Sequence, residues 1–210
     1  VVAAFIAAGA EVERVSSWGM HWLEPLVEID GVGYGPVTLA DVSAILSGAS
    51  PLSIGRIADH RFVARQQRLT FARAGQTRPL SLDDYAATSG WVGLAKARGI
   101  GAKAILAEVL ASGLRGRGGA GFPAAIKWKT VAGAASHQKY IVCNADEGDS
   151  ATFADRMVME GDPFMLIEGM AIAGLAVGAD KGFVYIRSEY PYAIAKMRAA
   201  VKASAHLVAP

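Results

Sequence analysis

The sequence has few of the residues that hold disulfide-bonded or metal-binding domains together. Its single cysteine, Cys143, excludes an intrachain disulfide and a multi-cysteine metal cluster within this stretch. The four histidines are scattered along the chain, so no zinc-ligand spacing occurs. The formal net charge is only +2, which gives no overall attraction to nucleic acid or to an anionic membrane. These properties are typical of a cytoplasmic globular protein.

A long hydrophobic run is also missing. The most apolar stretch, residues 164–179, is shorter than the ~20 residues that a spanning helix needs, and it contains Glu168. We therefore expect a core helix there and no membrane span. The first residues lack the basic segment of a signal peptide, and the chain starts without methionine, which suggests a fragment.

What is present is a glycine-rich globular composition. Hydrophobic residues make up 52% of the chain and charged residues 19%, which excludes disorder, and 24 of the 210 residues are glycine. We expect an α/β fold in three parts: a small module over residues 1–50, a connector over 51–90 and a larger domain over 91–210. Helical and strand-like segments alternate in the last part, which predicts a mainly parallel sheet.

Local patterns predict the elements of each part. In the first fifty residues we expect a helix over 3–8, a strand over 11–15, a hairpin turning at Asp30-Gly31 and a helix over 39–46. Further on, five apolar residues predict one face of a helix over 101–114: Ile105, Leu106, Val109, Leu110 and Leu114. Later segments predict buried strands over 140–143 and 183–186, a helix from Asp162-Pro163 to Gly178, and a last helix over 191–206.

A glycine-rich loop over residues 116–121 is the first candidate site. Its glycines allow backbone N–H groups to approach a phosphate or a flat ring, and Arg115 and Arg117 add positive charge. The match to G-x-G-x-x-G is weak evidence, because a helix and not a strand precedes the loop. A flexible turn is the structural alternative. A single Arg-Gly-Arg-Gly-Gly element also resembles RNA-binding repeats, but the apolar residues that follow it disfavour RNA binding.

Two further segments could bind a ligand. Lys127, shortly after the loop, could reach a phosphate, or it could simply flank a buried Trp128. Residues 144–149 follow a predicted strand and carry an amide and three carboxylates, which suit ribose or ribityl hydroxyls. These residues could also form a catalytic acid/base pair or a site for a hard metal ion, and the structural alternative is an acidic turn that caps a helix. No histidine lies near Cys143 in the sequence, so nucleophilic catalysis has little support, and we assign no catalytic residue.

Together these segments resemble one known family. The matching segments occur in the order that the family has: residues 114–123, residues 126–128, Asn144-Ala-Asp-Glu-Gly148, residues 152–156, Ile167-Glu-Gly169 and residues 185–190. The family is the NADH-oxidising flavoprotein subunit of respiratory complex I and its relatives. Within it, the chain most resembles the beta subunit of NAD-dependent molybdenum formate dehydrogenase. Diaphorase subunits of NAD-reducing hydrogenase are the alternative.

The resemblance implies a diaphorase that transfers hydride between NAD(H) and FMN and exchanges electrons with iron–sulfur clusters. It implies a molybdenum-bearing catalytic subunit and a small iron–sulfur subunit as partners, and a [4Fe–4S] cluster only in a C-terminal region beyond this chain. Phe122 would stack on the rings of the nucleotide, and Asp149 would lie near the NADH. The other implied cofactor-binding residues are Gly116, Arg117, Gly118, Gly119, Gly121, Lys127, Asn144, Asp146, Glu147 and Gly148.

The first fifty residues resemble the thioredoxin-like module of such subunits, with Ser17 and His21 in place of cluster cysteines. This predicts a docking surface without a cluster. Ala124-Ala125 and Ala151 stand where the family usually has Thr-Gly and glycine. If glycine's positive φ were needed there, alanine would strain the loop. The remaining alternative is a truncated docking module that binds no cofactor.

Overall fold

A computed structural model describes residues 1–149 and 151–209. The chain divides into two compact units, Val1–Arg78 and Pro79–Pro210. This division falls inside the segment 51–90 that the sequence suggested as a connector. Each unit has its own hydrophobic core.

The first unit contains a small antiparallel sheet and short helices. Its elements are α1 (Val2–Ala7), β1 (Val27–Ile29), β2 (Val32–Tyr34), α2 (Val42–Leu46), β3 (Ser53–Arg56) and α3 (Arg61–Ala64), with 3₁₀ helices at His21–Leu23, Leu39–Asp41 and Ile57–Asp59. The strand order is β1-β2-β3, and both pairs are antiparallel. The predicted hairpin is confirmed, since Asp30 and Gly31 adopt φ angles of 50° and 81° between the paired strands. The thioredoxin-like identity of this unit stays a prediction.

The strand predicted over residues 11–15 is wrong, because the structure has no strand there. Val12 packs against the core of the first unit, and Val15 is 45% exposed. Glu13 instead forms an ion pair with Arg78, 3.6 Å away. An alternating sequence forms a strand only where a neighbouring strand can accept its backbone hydrogen bonds.

The second unit is built around one apolar helix. Its elements are α4 (Leu82–Ala87), α5 (Val92–Ile100), α6 (Ala102–Ala111), α7 (Ala124–Gly133), β4 (Tyr140–Ala145), α8 (Ala154–Gly161), α9 (Pro163–Val177), β5 (Lys181–Ile186) and α10 (Pro191–Val208). Helix α9 packs against α5, α6, α7, α8 and α10 and against both strands, and it contacts α4 through Tyr85. Its predicted ends are confirmed, with Pro163 in the first turn and Gly178 in a left-handed conformation after the last.

Strands β4 and β5 form a parallel pair, which confirms the α/β class and the parallel sheet. The prediction that both strands are buried is wrong for one face of the pair. On that face Tyr140, Val142, Phe183 and Tyr185 are each about half exposed or more. Continuous runs of apolar and aromatic residues are typical of strands covered on both faces, but the described residues cover only one face here.

Helix α6 is shorter than the sequence suggested. It ends at Ala111, and Gly113 follows with a φ of 67°. Ile105 is buried and Val109 packs beside it, whereas Leu110 is 63% exposed. Five residues of helix rotate a side chain by about 140°, so Leu110 cannot share the face of Ile105. The expected five-residue apolar face is therefore wrong at Leu110 and at Leu114, which lies outside the helix and is exposed.

Among the residues that the structure describes, no helix is long and apolar enough to cross a membrane. The predicted core helix over the apolar stretch is confirmed as α9, in which Phe164 and Ile167 are buried.

Candidate functional site

The glycine loop between α6 and α7 is closed at its base. Arg115 and Pro123 form an isolated antiparallel bridge, and the N–H of Gly116 donates to the carbonyl of Phe122 over 2.8 Å. The Arg115 guanidinium also donates to the carbonyl of Gly121, at 2.8 Å. These bonds hold the two ends of the loop over residues 116–121 next to each other, so the loop is not an unconstrained turn.

The glycines of this loop have open space beside them. A Cβ built on Gly118, Gly119 or Gly121 would meet no atom within 4 Å. Gly119 and Gly121 need glycine because their φ angles are 106° and 60°. Gly118 has neither a positive φ nor a close neighbour, so the packing of this chain does not explain its lack of a side chain. A ligand lying against the backbone would explain it.

Positive charge flanks the loop. Lys127, exposed on the first turn of α7, places its Nζ 5.7 Å from the centre of the Phe122 ring. Arg117 is exposed within the loop itself. Ala124 and Ala125 are the first two residues of α7, where alanine is the best helix former, so the positive φ that would strain alanine does not occur at these two positions.

The topology brings the loop and the predicted acidic turn to the same end of the unit. Lys139, just before β4, donates to the carbonyls of Ala132 near the end of α7 and of Val177 at the end of α9, over 2.9 and 3.2 Å. The C-terminal ends of both helices therefore meet the start of β4. Trp128 of α7 and Ile141 of β4 pack against the same apolar cluster, so we expect the start of α7 and the end of β4 at the opposite end of the unit.

The turn after β4 presents polar groups that can accept hydrogen bonds. Asn144 is the last residue of β4 on the exposed face of the strand. Its Oδ1 accepts the N–H of Asp146 over 3.3 Å. Asp146 is partly exposed, and Gly148 and Asp149 are exposed. A Cβ on Gly148 would lie 3.1 Å from a carboxylate oxygen of Asp146, so glycine gives that carboxylate room.

The Glu147 side chain is fully engaged within the protein. Its two carboxylate oxygens accept the N–H groups of Asp155 and Arg156 over 2.8 and 3.0 Å, which caps the start of α8. Its backbone has a φ of 48°, and its carbonyl accepts a hydrogen bond from Arg187 over 3.0 Å. The alternative of an acidic turn that caps a helix therefore describes this one residue, and its contact with FMN stays a prediction.

The electrostatics of the turn affect two nearby groups. Burial, and next the Glu147 carboxylate, raise the pKa of Asp155 above its ordinary value. Burial, and next the charge of Asp155, raise the pKa of the Cys143 thiol. The raised pKa disfavours the thiolate form of Cys143.

Sequence reasoning missed Arg187 and Tyr190 as parts of the site. Ala145 is paired with Ile186, so the chains leave the two strands side by side and Arg187 lies next to the turn. The Tyr190 hydroxyl donates to the carbonyl of Thr152 over 3.2 Å. The sequence did contain a signal for these two residues, namely the polar segment after β5. The carboxyl ends of neighbouring parallel strands meet at one edge of a sheet, so this segment had to lie beside the turn after β4.

Ala151 has a φ of 65°, in the left-handed region where glycine is favoured. Strain was expected at this position only if its backbone adopted such a conformation, and it does. The cost of a left-handed alanine is about 1–2 kcal/mol.

In the first unit, the two residues that the resemblance aligns with cluster cysteines share one carboxylate. Ser17 donates to Glu24 over 2.5 Å, and Nδ1 of His21 lies 3.2 Å from the same oxygen. In the described parts of the chain, no group of three or more His, Cys, Asp or Glu side chains could hold a metal ion.

Comparison with known proteins agrees with this geometry. The family described as the Nuo51 FMN-binding domain matches residues 109–208, which include the loop, Lys127 and the turn. The NADP-reducing hydrogenase subunit HndC of Solidesulfovibrio fructosivorans is 50% identical over 137 residues, which cover 65% of this chain and 28% of that protein. The mitochondrial NADH dehydrogenase [ubiquinone] flavoprotein 1 of Dictyostelium discoideum is 50% identical over 90 residues, which cover 42% of this chain and 19% of that protein.

A solved structure shows the same fold. An NAD⁺-reducing [NiFe]-hydrogenase in the air-oxidized state matches with a TM-score of 0.53 and 25% identity, over 97% of this chain and 37% of that chain. The chain thus spans about a third or less of the length of the relatives that it matches. Residues 109–208 are therefore similar to the Nuo51 FMN-binding domain of the complex I 51 kDa flavoprotein family.

Proposed function

We propose that this chain forms part of the FMN- and NAD(H)-binding site of a diaphorase subunit. The observation that carries the proposal is the open glycine loop, in which Gly118 lacks a side chain although the protein leaves room for one. The family match over residues 109–208 supports FMN as the ligand. Bound FMN supplies the chemistry that links two-electron hydride transfer to single-electron transfer.

The residues of this chain would bind and orient the two nucleotides. The exposed ammonium of Lys127 suits the flavin phosphate, and the amide of Asn144 and the carboxylate of Asp146 suit ribityl hydroxyls. The exposed Phe122 ring offers a stacking surface for the nucleotide, and Asp149 would lie near the NADH. Backbone N–H groups of residues 116–121 can approach a ring or a phosphate without obstruction.

A titration of the 210-residue chain with FMN, followed by flavin fluorescence, tests the proposal. Gly118→Ala should abolish or strongly weaken binding while it leaves the fold intact, because its Cβ would point only into the ligand space. Gly99→Ala, in α5 with equally open surroundings, is the matched control and should bind FMN as the parent chain does. Equal affinity in both variants would contradict a ligand at the loop.

The proposed phosphate contact has its own test. Lys127→Ala should weaken FMN binding by about 10- to 100-fold, which corresponds to the loss of one charge-assisted hydrogen bond. Lys129→Ala removes the same charge two residues further along α7, on a different side of the helix, and should leave the affinity unchanged. If both variants bind equally, Lys127 does not hold the phosphate.

We further propose that the subunit works in a multisubunit complex in the cytoplasm and passes electrons to or from iron–sulfur clusters. The names of two relatives favour a hydrogenase. One is the NADP-reducing hydrogenase subunit described above, and the other is the alpha subunit of the NAD-reducing hydrogenase HoxS of Cupriavidus necator. The second is 48% identical over 42% of this chain and 15% of that protein. The formate dehydrogenase assignment, with a molybdenum-bearing subunit, rests on the sequence resemblance alone. Assay of the purified complex with formate and with hydrogen would decide between them.

A docking module without cofactor is the second candidate. The left-handed Ala151 and the exposed aromatic face of β4 and β5 favour it. The same FMN titration on a chain extended beyond Pro210 separates the two candidates, since a docking module would bind no flavin and Lys127→Ala would leave its partner binding unchanged.

A further inference from the structure

The turn over residues 144–149 is held in place by contacts that come from outside it. Glu147 is the centre of these contacts, because its carboxylate and its carbonyl oxygen are both bound within the protein. Because both its side chain and its backbone carbonyl are hydrogen-bonded, Glu147 can fix the backbone conformation on either side of it. Each contact therefore affects the neighbouring residues that would face the flavin.

The carboxylate ties the turn to the start of α8. It accepts two N–H groups of that helix, which otherwise lack partners in the first turn of any helix. Both bonds are charge-assisted and therefore stronger than bonds between neutral groups. They fix Glu147 in its left-handed conformation, with a φ of 48° that a glutamate would otherwise avoid.

The carbonyl ties the turn to the end of β5. Arg187 donates one N–H of its guanidinium to this carbonyl, and another to Glu189 over 3.3 Å. The guanidinium lies 5.5 Å from the centre of the Tyr190 ring. The Tyr190 hydroxyl in turn donates to Thr152, whose own hydroxyl donates to the carbonyl of Asp149 over 2.7 Å.

We propose that Glu147, Arg187 and Tyr190 are positioning residues that hold the turn over 144–149 in its flavin-binding form, and that the Glu147 carboxylate acts through α8 and not by touching the flavin. This inference rests on the proposed function, since it assigns a role within the same site. It divides the acidic turn in two: Asn144 and Asp146 face the ligand, and Glu147 sets their position.

The test compares Glu147→Gln with Tyr190→Phe in the 210-residue chain. Glu147→Gln replaces one acceptor oxygen by a donor, so one N–H of Asp155 or Arg156 loses its partner. Tyr190→Phe removes only a hydroxyl and leaves the ring that faces Arg187. As a matched control, Glu108→Gln makes the same chemical change in an exposed ion pair between Glu108 and Lys96.

Amide hydrogen exchange gives a readout that does not depend on flavin. Glu147→Gln should speed exchange at Asp155 or Arg156 by about tenfold and also at Asp146, whose N–H donates to the Asn144 side chain, because the turn is released. Tyr190→Phe should speed exchange at Thr152, whose N–H donates to the carbonyl of Asp149, without an effect on the N–H groups of Asp155 and Arg156. Unchanged exchange at Asp146 and Thr152 in both variants would overturn the proposal, whether or not the chain binds FMN.

Flavin binding gives the second readout. Both variants should bind FMN several-fold more weakly and shift the absorption band of the bound flavin, which a loss of stability alone would not do, while Glu108→Gln should do neither. If Glu147→Gln weakens binding with no change in exchange, and Tyr190→Phe has no effect, then Glu147 contacts the flavin and the proposal is wrong. If the parent chain and its extended form bind no FMN, the proposed function fails, and the exchange data still decide the positioning role.

Discussion

Replacing Glu168 by alanine should strongly destabilise the second unit. Glu168 lies in α9 and is only 7% exposed. Its carboxylate accepts the Tyr85 hydroxyl over 2.6 Å and the N–H groups of Trp91 and Leu94 over 2.9 and 2.8 Å. The last two donors belong to the start of α5, so Glu168 caps that helix although it lies 74 and 77 residues away from them in the sequence.

The expected cost follows from the three donors. Glu168→Ala leaves each of them without its acceptor in a buried site, at about 1–1.5 kcal/mol apiece, so we expect a loss of about 3–5 kcal/mol in the free energy of unfolding. Tyr85→Phe removes one donor and should cost about 1 kcal/mol. In the Glu168→Ala background the same change should cost much less, because the hydroxyl has already lost its acceptor.

Urea unfolding followed by near-ultraviolet circular dichroism measures these differences. The signal is suitable because the Tyr85 and Trp91 rings lie 5.0 Å apart, in contact with Phe164. Glu108→Gln, in an exposed ion pair, should change the free energy by less than about 1 kcal/mol and serves as the control. A Glu168→Ala variant within about 1 kcal/mol of the parent chain would refute the reasoning.

Three further predictions concern single positions. Gly93→Ala should destabilise α5 by about 1 kcal/mol, since its Cβ would lie 3.0 Å from the Glu168 carboxylate. Gly99→Ala in the same helix should stabilise it by about 0.5–1 kcal/mol, because a Cβ there would meet no atom within 4 Å. Thermal unfolding of the two variants measures this difference. Cys143 should be alkylated with a midpoint above pH 9.0, the ordinary value of its pKa, and Asp155→Asn should lower that midpoint because it removes a negative charge; an unshifted midpoint would contradict this. Ala151→Gly should raise stability by up to about 1 kcal/mol, since glycine adopts the φ of 65° without strain; a lower melting temperature would argue against strain there.

Local signals in the sequence predicted the ends of α9 and the hairpin turn, but not the end of α6. Asp162-Pro163 and Gly178 mark the limits of α9, and Asp30-Gly31 marks the hairpin, because each residue fixes the backbone without help from distant parts of the chain. The exposed face of the sheet could not be predicted. Residues such as Val142 and Phe183 favour burial, and only the tertiary structure shows which face is covered.

The candidate site was predicted by composition and order, and not by its internal bonding. The glycine loop and the turn after β4 follow from residue types at strand and helix ends. The role of Glu147 depends on the N–H groups of Asp155 and Arg156 and on Arg187, 40 residues away. Such partners are set by the register of β4 and β5, which the sequence of either strand alone does not define.

Flavin binding by the glycine loop and the turn over 144–149 can be measured without a partner protein. The measurement is the quenching of FMN fluorescence by the 210-residue chain and by the same chain extended to the length of its relatives. We expect saturable quenching with a micromolar dissociation constant in the extended chain, and bleaching of the bound flavin when NADH is added without oxygen. Failure of both chains to quench FMN would show that the loop and the turn are not part of a flavin site.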